Sequence, residues 1–333
     1  MDLDGFVASR RMAWQRLDDL VSARRIDPAE VDELVDLYQR ASTDLSTLRS
    51  GAPDPALVSR LSESIARARA AVTGAHTSTW ADVGRFFAVS FPAATYRAGR
   101  WWLMTGVLFT AVVTVVAWWV AANPDVQAAI ATPDEASSLV NEDFADYYSA
   151  NPAGSFAAHV WTNNALIAAM VLVFGAMLCF PAVYILWQNA VNTAAVAGLM
   201  ASAGRLDVFF GLITPHGLLE LTAVFLAAAA GMRLGWSIIA PGGRPRGVAM
   251  AQEGRAAGTI AIGLIVVLLV SGVIEAFVTP SGLPTWTRIG IGIAAWVVFL
   301  SYVVVLGGRA VRAGFIGDVT GRAATTDLAP YAA

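Results

Sequence analysis

Residues 103–121 read LMTGVLFTAVVTVVAWWVA, nineteen residues without one charged side chain. An α-helix needs about 20 apolar residues to cross the hydrocarbon of a bilayer. Residues 257–278 and 289–306 are similarly apolar, and Glu275 is the one acid among them. The sequence therefore predicts an all-α, polytopic membrane protein.

The composition supports lipid rather than a large soluble core. Only 14% of the residues are charged, 56% are apolar and the mean hydropathy is +0.59, whereas soluble domains carry about 25% charged residues. The net charge of −3 is too small to indicate a nucleic-acid partner. The chain has one cysteine, Cys179, which excludes an internal disulfide.

The first part of the chain is different. Residues 1–75 alternate charged and apolar positions with a helical period, which predicts a cytoplasmic three-helix bundle. Asp27-Pro28-Ala29-Glu30 and Asp54-Pro55 are typical helix starts. The apolar stripes comprise Phe6, Val7, Trp14, Leu17 and Val21, then Val31, Leu34, Val35, Tyr38 and Leu45, then Leu57, Leu61, Ile65 and Val72.

Residues 78–100 interleave aromatic side chains with Arg85, Arg97 and Arg100. Both residue types favour the headgroup zone of a membrane, so we interpret this segment as an interfacial helix. A buried hinge between bundle and membrane is the alternative. Residues 101–308 form the predicted transmembrane core, and 309–333 a cytoplasmic tail.

Charge asymmetry predicts the orientation. The connection 123–162 carries six acids and no arginine, whereas arginines cluster before residue 101, at 244–255 and at 309–322. The positive-inside rule places both termini in the cytoplasm and 123–162 outside. A short helix is expected to start at Thr132-Pro133-Asp134-Glu135 and to run to Tyr148.

The segment 189–213 is the ambiguous one. A second crossing is predicted over about 163–187, and a fourth after Thr214-Pro215. Since the chain is inside at both Trp187 and Arg244, it must cross an even number of times between them. Residues 189–213 are thus either a short polar third crossing or one arm of a re-entrant pair. We count about six spans, of which a hydropathy scan would find five.

Several costly polar residues fall at a similar depth in the outer half of these spans. His216 and Glu220 are four residues apart and so lie on one helical face. Glu275, Asn163 and Asn164 are expected at the same level. An acid at the bilayer centre costs about 2.5–3.5 kcal/mol, and these groups would lower that cost by meeting one another or by lining a wet cavity.

Each of these residues also has a structural interpretation. His216–Glu220 could fix helix packing, form a functional polar site or bind a metal. A metal site needs further ligands, and no third ligand lies nearby in sequence. No metal and no cofactor are therefore predicted. Glu275 could be neutralised, Asn163-Asn164 could cap a helix, and Arg233 could snorkel to the inner interface. The small residues around 194–201 favour close helix packing.

Motifs of soluble and intramembrane enzymes are missing. The sequence contains no P-loop, no HExxH and no GxSxG. We therefore expect a protein that is not an enzyme.

The segment Pro215-His216-Gly217-Leu218-Leu219-Glu220-Leu221 resembles the hallmark of the stage II sporulation protein M family. Supporting matches are Asn163-Asn164, Gln188-Asn189, Ile274-Glu275-Ala276-Phe277 with a following Thr-Pro, Gly231 to Gly235 around Arg233, and Asp36-Leu37-Tyr38-Gln39-Arg40 with Asp44-Leu45. The resemblance covers nearly the whole chain.

The resemblance implies an integral protein of the bacterial plasma membrane that acts as a scaffold for peptidoglycan-remodelling enzymes. All 22 basic residues are arginine, which suggests a GC-rich actinobacterium, where similar proteins accompany a MoxR-type AAA+ ATPase. We expect a homodimeric, non-enzymatic scaffold. The alternative is a permease subunit of an ABC-exporter-like transporter, in which His216, Glu220 and Glu275 would line a path.

Overall fold

The computed structural model describes residues 3–23, 28–50, 55–73, 80–144, 147–148 and 152–317. Two compact units divide the chain, Met1–Trp80 and Ala81–Ala333. Every regular element in the described residues of both units is helical.

The first unit consists of three packed helices, as the sequence predicts: α1 (Leu3–Ser22), α2 (Pro28–Ser50) and α3 (Pro55–Thr73). Helices α2 and α3 begin at the expected prolines, while Asp27 and Asp54 lie outside the described residues. The unit has its own apolar core, built on Leu17, Leu20, Leu34, Ala41, Leu48, Leu61 and Ala68.

One acid is buried in this unit. Asp44 is 6% exposed, accepts a hydrogen bond from Trp14 Nε1 at 3.0 Å and pairs with Arg10 at 3.5 Å. We expect Asp44→Ala to destabilise the fragment 1–80 by about 1–3 kcal/mol, because it leaves the indole N–H unpaired. Urea unfolding followed by circular dichroism measures this. Asp36→Ala removes an exposed ion pair with Arg40 and should lower the free energy of unfolding by at most about 0.5 kcal/mol. Equal losses of stability in Asp44→Ala and Asp36→Ala would contradict this expectation.

A surface ion pair in the same unit gives a pH prediction. Arg16 donates to both oxygens of Glu33 at 3.0 and 2.8 Å, and this contact holds the pKa of Glu33 below its usual range. The contribution of the pair to stability is therefore present at neutral pH and lost as the pH falls through the Glu33 pKa. Arg16→Ala should raise that pKa toward about 4.3, as measured by NMR titration at low salt. Arg40→Ala should leave it unchanged.

The second unit opens with short helices α4 (Trp80–Arg85) and α5 (Phe91–Arg97), joined by a π-helical turn, Phe86–Ser90. Residues 91–95 are all buried, and Phe91 lies against Gly263. The second half of the segment 78–100 is thus a packed part of this unit. Its expected position in the headgroup zone stays a prediction.

Five helical segments of the described chain are long and apolar enough to cross a membrane, so the protein is a multi-pass membrane protein. They contain α6 (Gly99–Ala122), α9 (Ala153–Gly175), α11 (Leu206–Ile239), α12 (Arg246–Val273) with its π-helical turn Ile274–Val278, and α13 (Thr285–Tyr302), which continues through Val303–Gly307 into α14 (Gly308–Arg312).

A sixth long helix, α10 (Phe180–Ser202), lies among them. Its 23 residues rise about 34 Å, enough to cross the hydrocarbon, but Gln188, Asn189 and Asn192 make it less apolar. Gly198 of α10 lies beside Val120 of α6, and Ala190 packs near Phe109. The two helices therefore run in the same direction. The count of six crossings stays a prediction, because α10 is not among the five helices that length and composition identify as membrane spans.

The predicted boundaries of the second and third crossings are wrong. The chain turns at residues 176–179, where Leu178 and Cys179 have φ of 60° and 72°, so 163–187 is not one helix. Helix α9 already begins at Ala153, which shortens the acidic connection to 123–152. Residues 206–213, assigned to the segment 189–213, instead belong to α11, which continues past Pro215.

The acidic connection contains helices α7 (Pro124–Ile130) and α8 (Pro133–Ser138), followed by a π-helical turn, Leu139–Asp143. As expected, Thr132 starts α8: its side chain accepts from the Glu135 N–H, and the Glu135 carboxylate accepts from the Thr132 N–H at 2.8 Å. The Thr132 backbone N–H and hydroxyl both donate to the Glu135 carboxylate, and these two bonds hold the pKa of Glu135 below its usual range.

Candidate functional site

The candidate site forms where α11 meets the end of α12. Pro215 lies inside α11, where its missing N–H interrupts the backbone hydrogen bonds of the helix. Gly292 of α13 packs directly against the Pro215 carbonyl, and a side chain at position 292 would collide with that backbone. The close approach of α13 therefore fixes α11 at the turn that carries His216.

Three titratable side chains converge at this point. His216 and Glu220 come from one face of α11, as their spacing predicts, and Glu275 comes from the π-helical turn after α12. One nitrogen of His216 and one oxygen of each carboxyl group lie within 4.8 Å of one another. His216 and Glu275 are 6% and 5% exposed, and Glu220 is half-buried. We call these three residues the His–Glu–Glu cluster.

Hydrogen bonds orient the imidazole. His216 Nδ1 lies 3.2 Å from Thr279 Oγ1, and His216 Nε2 lies 3.9 Å from Glu275 Oε2. The hydroxyl of Ser271 donates to the backbone carbonyl of His216 at 3.1 Å. The ring of Tyr148 packs against the histidine at a tilt of 52°, with ring centroids 5.8 Å apart.

These supporting residues were not identified from the sequence. Thr279 lies four residues after Glu275, and Ser271 four before it, so helical spacing alone could have placed them on the Glu275 face. Tyr148 belongs to the acidic connection, and no periodic signal links it to His216.

The structure does not bring the predicted asparagines into the His–Glu–Glu cluster. Asn163 is exposed and its amide faces Asn164 at 3.5 Å. Both lie inside α9 rather than at its start, so the capping interpretation is wrong. Asn189 donates to the carbonyl of Ile185 within α10. Gly217 is buried next to His216, with Ile213 beside it.

Arg233 has a buried partner that the sequence interpretation did not include. Its Nη2 lies 2.8 Å from Glu253 Oε2, and the two side chains are 14% and 11% exposed. Arg244 approaches the other oxygen of Glu253 at 3.9 Å. This ion pair joins the end of α11 to the start of α12, far along the helices from His216.

The His–Glu–Glu cluster offers one imidazole and two carboxyl groups inside a helix bundle. Such a set can exchange protons, accept hydrogen bonds from a ligand or coordinate a cation. Together with the five apolar helices, it defines a polytopic α-helical membrane protein with a polar site in its interior.

The chain belongs to the Stage II sporulation protein M family, which matches residues 106–280 and thus contains the whole cluster. Residues 4–74 match a second family, described as a domain of unknown function (DUF8413). No curated protein and no solved structure matches the chain.

Proposed function

We propose that this protein is a non-enzymatic membrane scaffold of the bacterial cell envelope, inserted in the plasma membrane with both termini in the cytoplasm. The observation that carries the proposal is the first unit, three helices with their own core and a family match separate from that of the membrane part. A compact helical module with its own core, in a chain that also carries membrane helices, is suited to partner docking.

The partners divide between the two sides of the membrane. On the cytoplasmic side, the first unit docks an AAA+ ATPase of the MoxR type or its adaptor. On the outer side, the acidic connection faces peptidoglycan-remodelling proteins. Its described acids Asp125, Asp134, Glu135 and Glu142 are exposed, and its residues 123–152 include no arginine. The scaffold acts as a homodimer.

Affinity purification from native membranes in a mild detergent tests this division. The full chain should recover both partner classes, and a chain lacking residues 1–75 should lose the ATPase but keep the envelope enzymes. A matched variant, Asp134→Asn with Glu142→Gln, keeps the first unit and should show the opposite loss. Undiminished ATPase recovery by the shortened chain would contradict the docking proposal.

A second function is supported by the His–Glu–Glu cluster itself. Buried acids inside membrane helices are typical of ion and substrate paths, which fits a permease subunit of an ABC-exporter-like transporter. Co-purification of an ABC nucleotide-binding subunit would favour this function over the scaffold. Full transport or growth activity of Glu220→Gln would count against it.

A further inference from the structure

One oxygen of each carboxyl group in the His–Glu–Glu cluster lacks a hydrogen-bond partner. The two carboxyl groups otherwise lie within hydrogen-bond reach of each other, and Ser271 lies within reach of Glu220. Oε2 of Glu220 and Oε2 of Glu275 are inaccessible to solvent and have no hydrogen-bond partner among the described residues. The nearest group to Glu275 Oε2 in an ion-pair geometry is His216 Nε2, at 3.9 Å, which is too far for a hydrogen bond. A buried carboxylate oxygen without a partner is costly, and a cation held between the two carboxyl groups would satisfy both Oε2 atoms.

A protein cation does not complete it. Among the described residues, the ion pairs of Glu220 and Glu275 include no arginine. Arg288 approaches this region but donates to the Thr279 carbonyl and to Thr285 Oγ1. With both carboxyl groups ionised their charge is −2, and one divalent cation in place of the protons would make the buried group neutral. The attraction between the cation and the carboxylates offsets part of the cost of burying these charges.

The surroundings of His216 match those of a metal ligand. Histidines that bind metals usually donate their other ring N–H to an oxygen acceptor, which fixes the tautomer and the ring orientation. Thr279 Oγ1, 3.2 Å from Nδ1, can be that acceptor. With the proton on Nδ1, the lone pair of Nε2 points to the side where Glu275 Oε2 lies.

We propose that His216, Glu220 and Glu275 bind a divalent transition-metal ion inside the membrane helices. One imidazole nitrogen with two carboxylate oxygens is a donor set for Zn²⁺ or its neighbours, whereas Mg²⁺ and Ca²⁺ prefer oxygen ligands alone. Tetrahedral zinc with bonds of about 2.0–2.2 Å places its ligand atoms about 3.3–3.6 Å apart. The present separations between the ligand atoms reach at most 4.8 Å, so side-chain movements of about 1.5 Å or less bring the atoms to the distances that zinc requires.

Three protein ligands leave a fourth position of tetrahedral zinc for water or a small anion. The Tyr148 ring contacts His216 from the acidic connection. The site therefore resembles an open rather than a closed zinc site in its ligand count. A bound metal ion would also link α11 to the turn after α12. Metal binding would therefore stabilise the packing of these two helices.

Metal content of the purified full-length protein tests the proposal. The protein carries an affinity tag without histidine, and a chelator removes bound metal from it in detergent. It is then equilibrated with Zn²⁺ and desalted, and its metal content is measured by mass spectrometry. We expect about one zinc per chain and at least a tenfold weaker affinity in Glu275→Gln, since loss of a direct ligand should cost no less than loss of a supporting one. His159→Asn, which removes an exposed histidine of α9, is the matched control and should bind zinc as the parent does.

A second variant separates ligation from folding. Thr279→Val keeps all three ligands and removes the acceptor of Nδ1, so zinc affinity should fall by about 10–100-fold. Bound zinc should raise the melting temperature of the parent protein, but not that of folded Glu275→Gln. Binding of Co²⁺ to the parent protein tests the site without any variant. The visible absorption spectrum of bound Co²⁺ should indicate nitrogen and oxygen ligands, and added Zn²⁺ should displace the Co²⁺.

Several results would overturn the proposal. The parent protein could retain neither zinc nor cobalt. Folded Glu275→Gln could bind zinc with the same affinity as the parent protein. The parent protein could also retain Mg²⁺ or Ca²⁺ in preference to Zn²⁺. Loss of zinc from His159→Asn alone would also overturn it, because the metal would then lie elsewhere.

Discussion

Gly231→Leu is expected to destabilise the membrane part of the protein by about 3 kcal/mol or more, at the upper end of the cost of overpacking. Gly231 of α11 packs against the Leu172 carbonyl of α9, and even a Cβ atom would collide with that oxygen. Gly175 and Gly235 lie at the same crossing. A Cβ at Gly175 would approach the Gly231 carbonyl carbon to 2.7 Å.

This crossing explains the spacing Gly231-x-x-x-Gly235. Within a bilayer, helices gain little from apolar burial against one another, and close backbone contact at small residues replaces that force. The backbones themselves form the contact, so neither helix can retreat locally without losing the whole interface.

Thermal unfolding in detergent, followed by tryptophan fluorescence, measures the effect, with size-exclusion chromatography to detect aggregation. Gly290→Leu is the matched control, because position 290 is exposed on α13 and nothing lies within 4 Å of its added Cβ. It should melt like the parent. If both variants melt alike, the helix crossing at Gly231 is not as close as described.

Glu253→Ala should destabilise the protein by about 3–5 kcal/mol, because it leaves the Arg233 guanidinium buried without its carboxylate. Arg244 cannot take over the role of Glu253, as it is itself a cation. Removing both members of the pair, by Arg233→Leu with Glu253→Leu, should cost far less than Glu253→Ala alone, since replacing a buried pair by apolar side chains is often neutral.

A double-mutant cycle made of Arg233→Leu, Glu253→Leu and the variant with both, read by denaturant unfolding in detergent, measures this coupling. Arg246→Ala provides the control: its side chain is exposed and donates to the Ile238 carbonyl, so its effect should stay within about 0.5 kcal/mol. Additive losses for Arg233→Leu and Glu253→Leu would show that the two charges do not depend on each other.

Periodicity and composition were sufficient to predict the helical membrane class and the N-terminal bundle, because both signals extend over many residues. The pairing of His216 with Glu220 also follows from spacing alone. Glu275 could be placed at a similar depth but not in contact, since contact depends on how α11 and α12 pack.

The errors arose where a local signal was weak or misleading. Leu178 and Cys179 adopt the left-handed conformation without the glycine or asparagine that usually marks it, so the turn between α9 and α10 was missed. Pro215 indicated a helix start, yet α11 continues through it, and Gly292 of α13 packs against the Pro215 carbonyl at that turn. Ala153 to Thr162 looked like a loop before Asn163 but begins a helix.

The turn at residues 176–179 also offers a practical route to the orientation of the chain. Cys179 is the sole thiol of the protein, and its Sγ lies 3.3 Å from the Met232 carbonyl, a hydrogen bond that a serine hydroxyl can also donate. Cys179→Ser thus yields a thiol-free chain with that contact kept. Single cysteines at exposed Ser202 or Gly243, treated with a maleimide that cannot enter cells, would report which ends of α10 and α11 face outward.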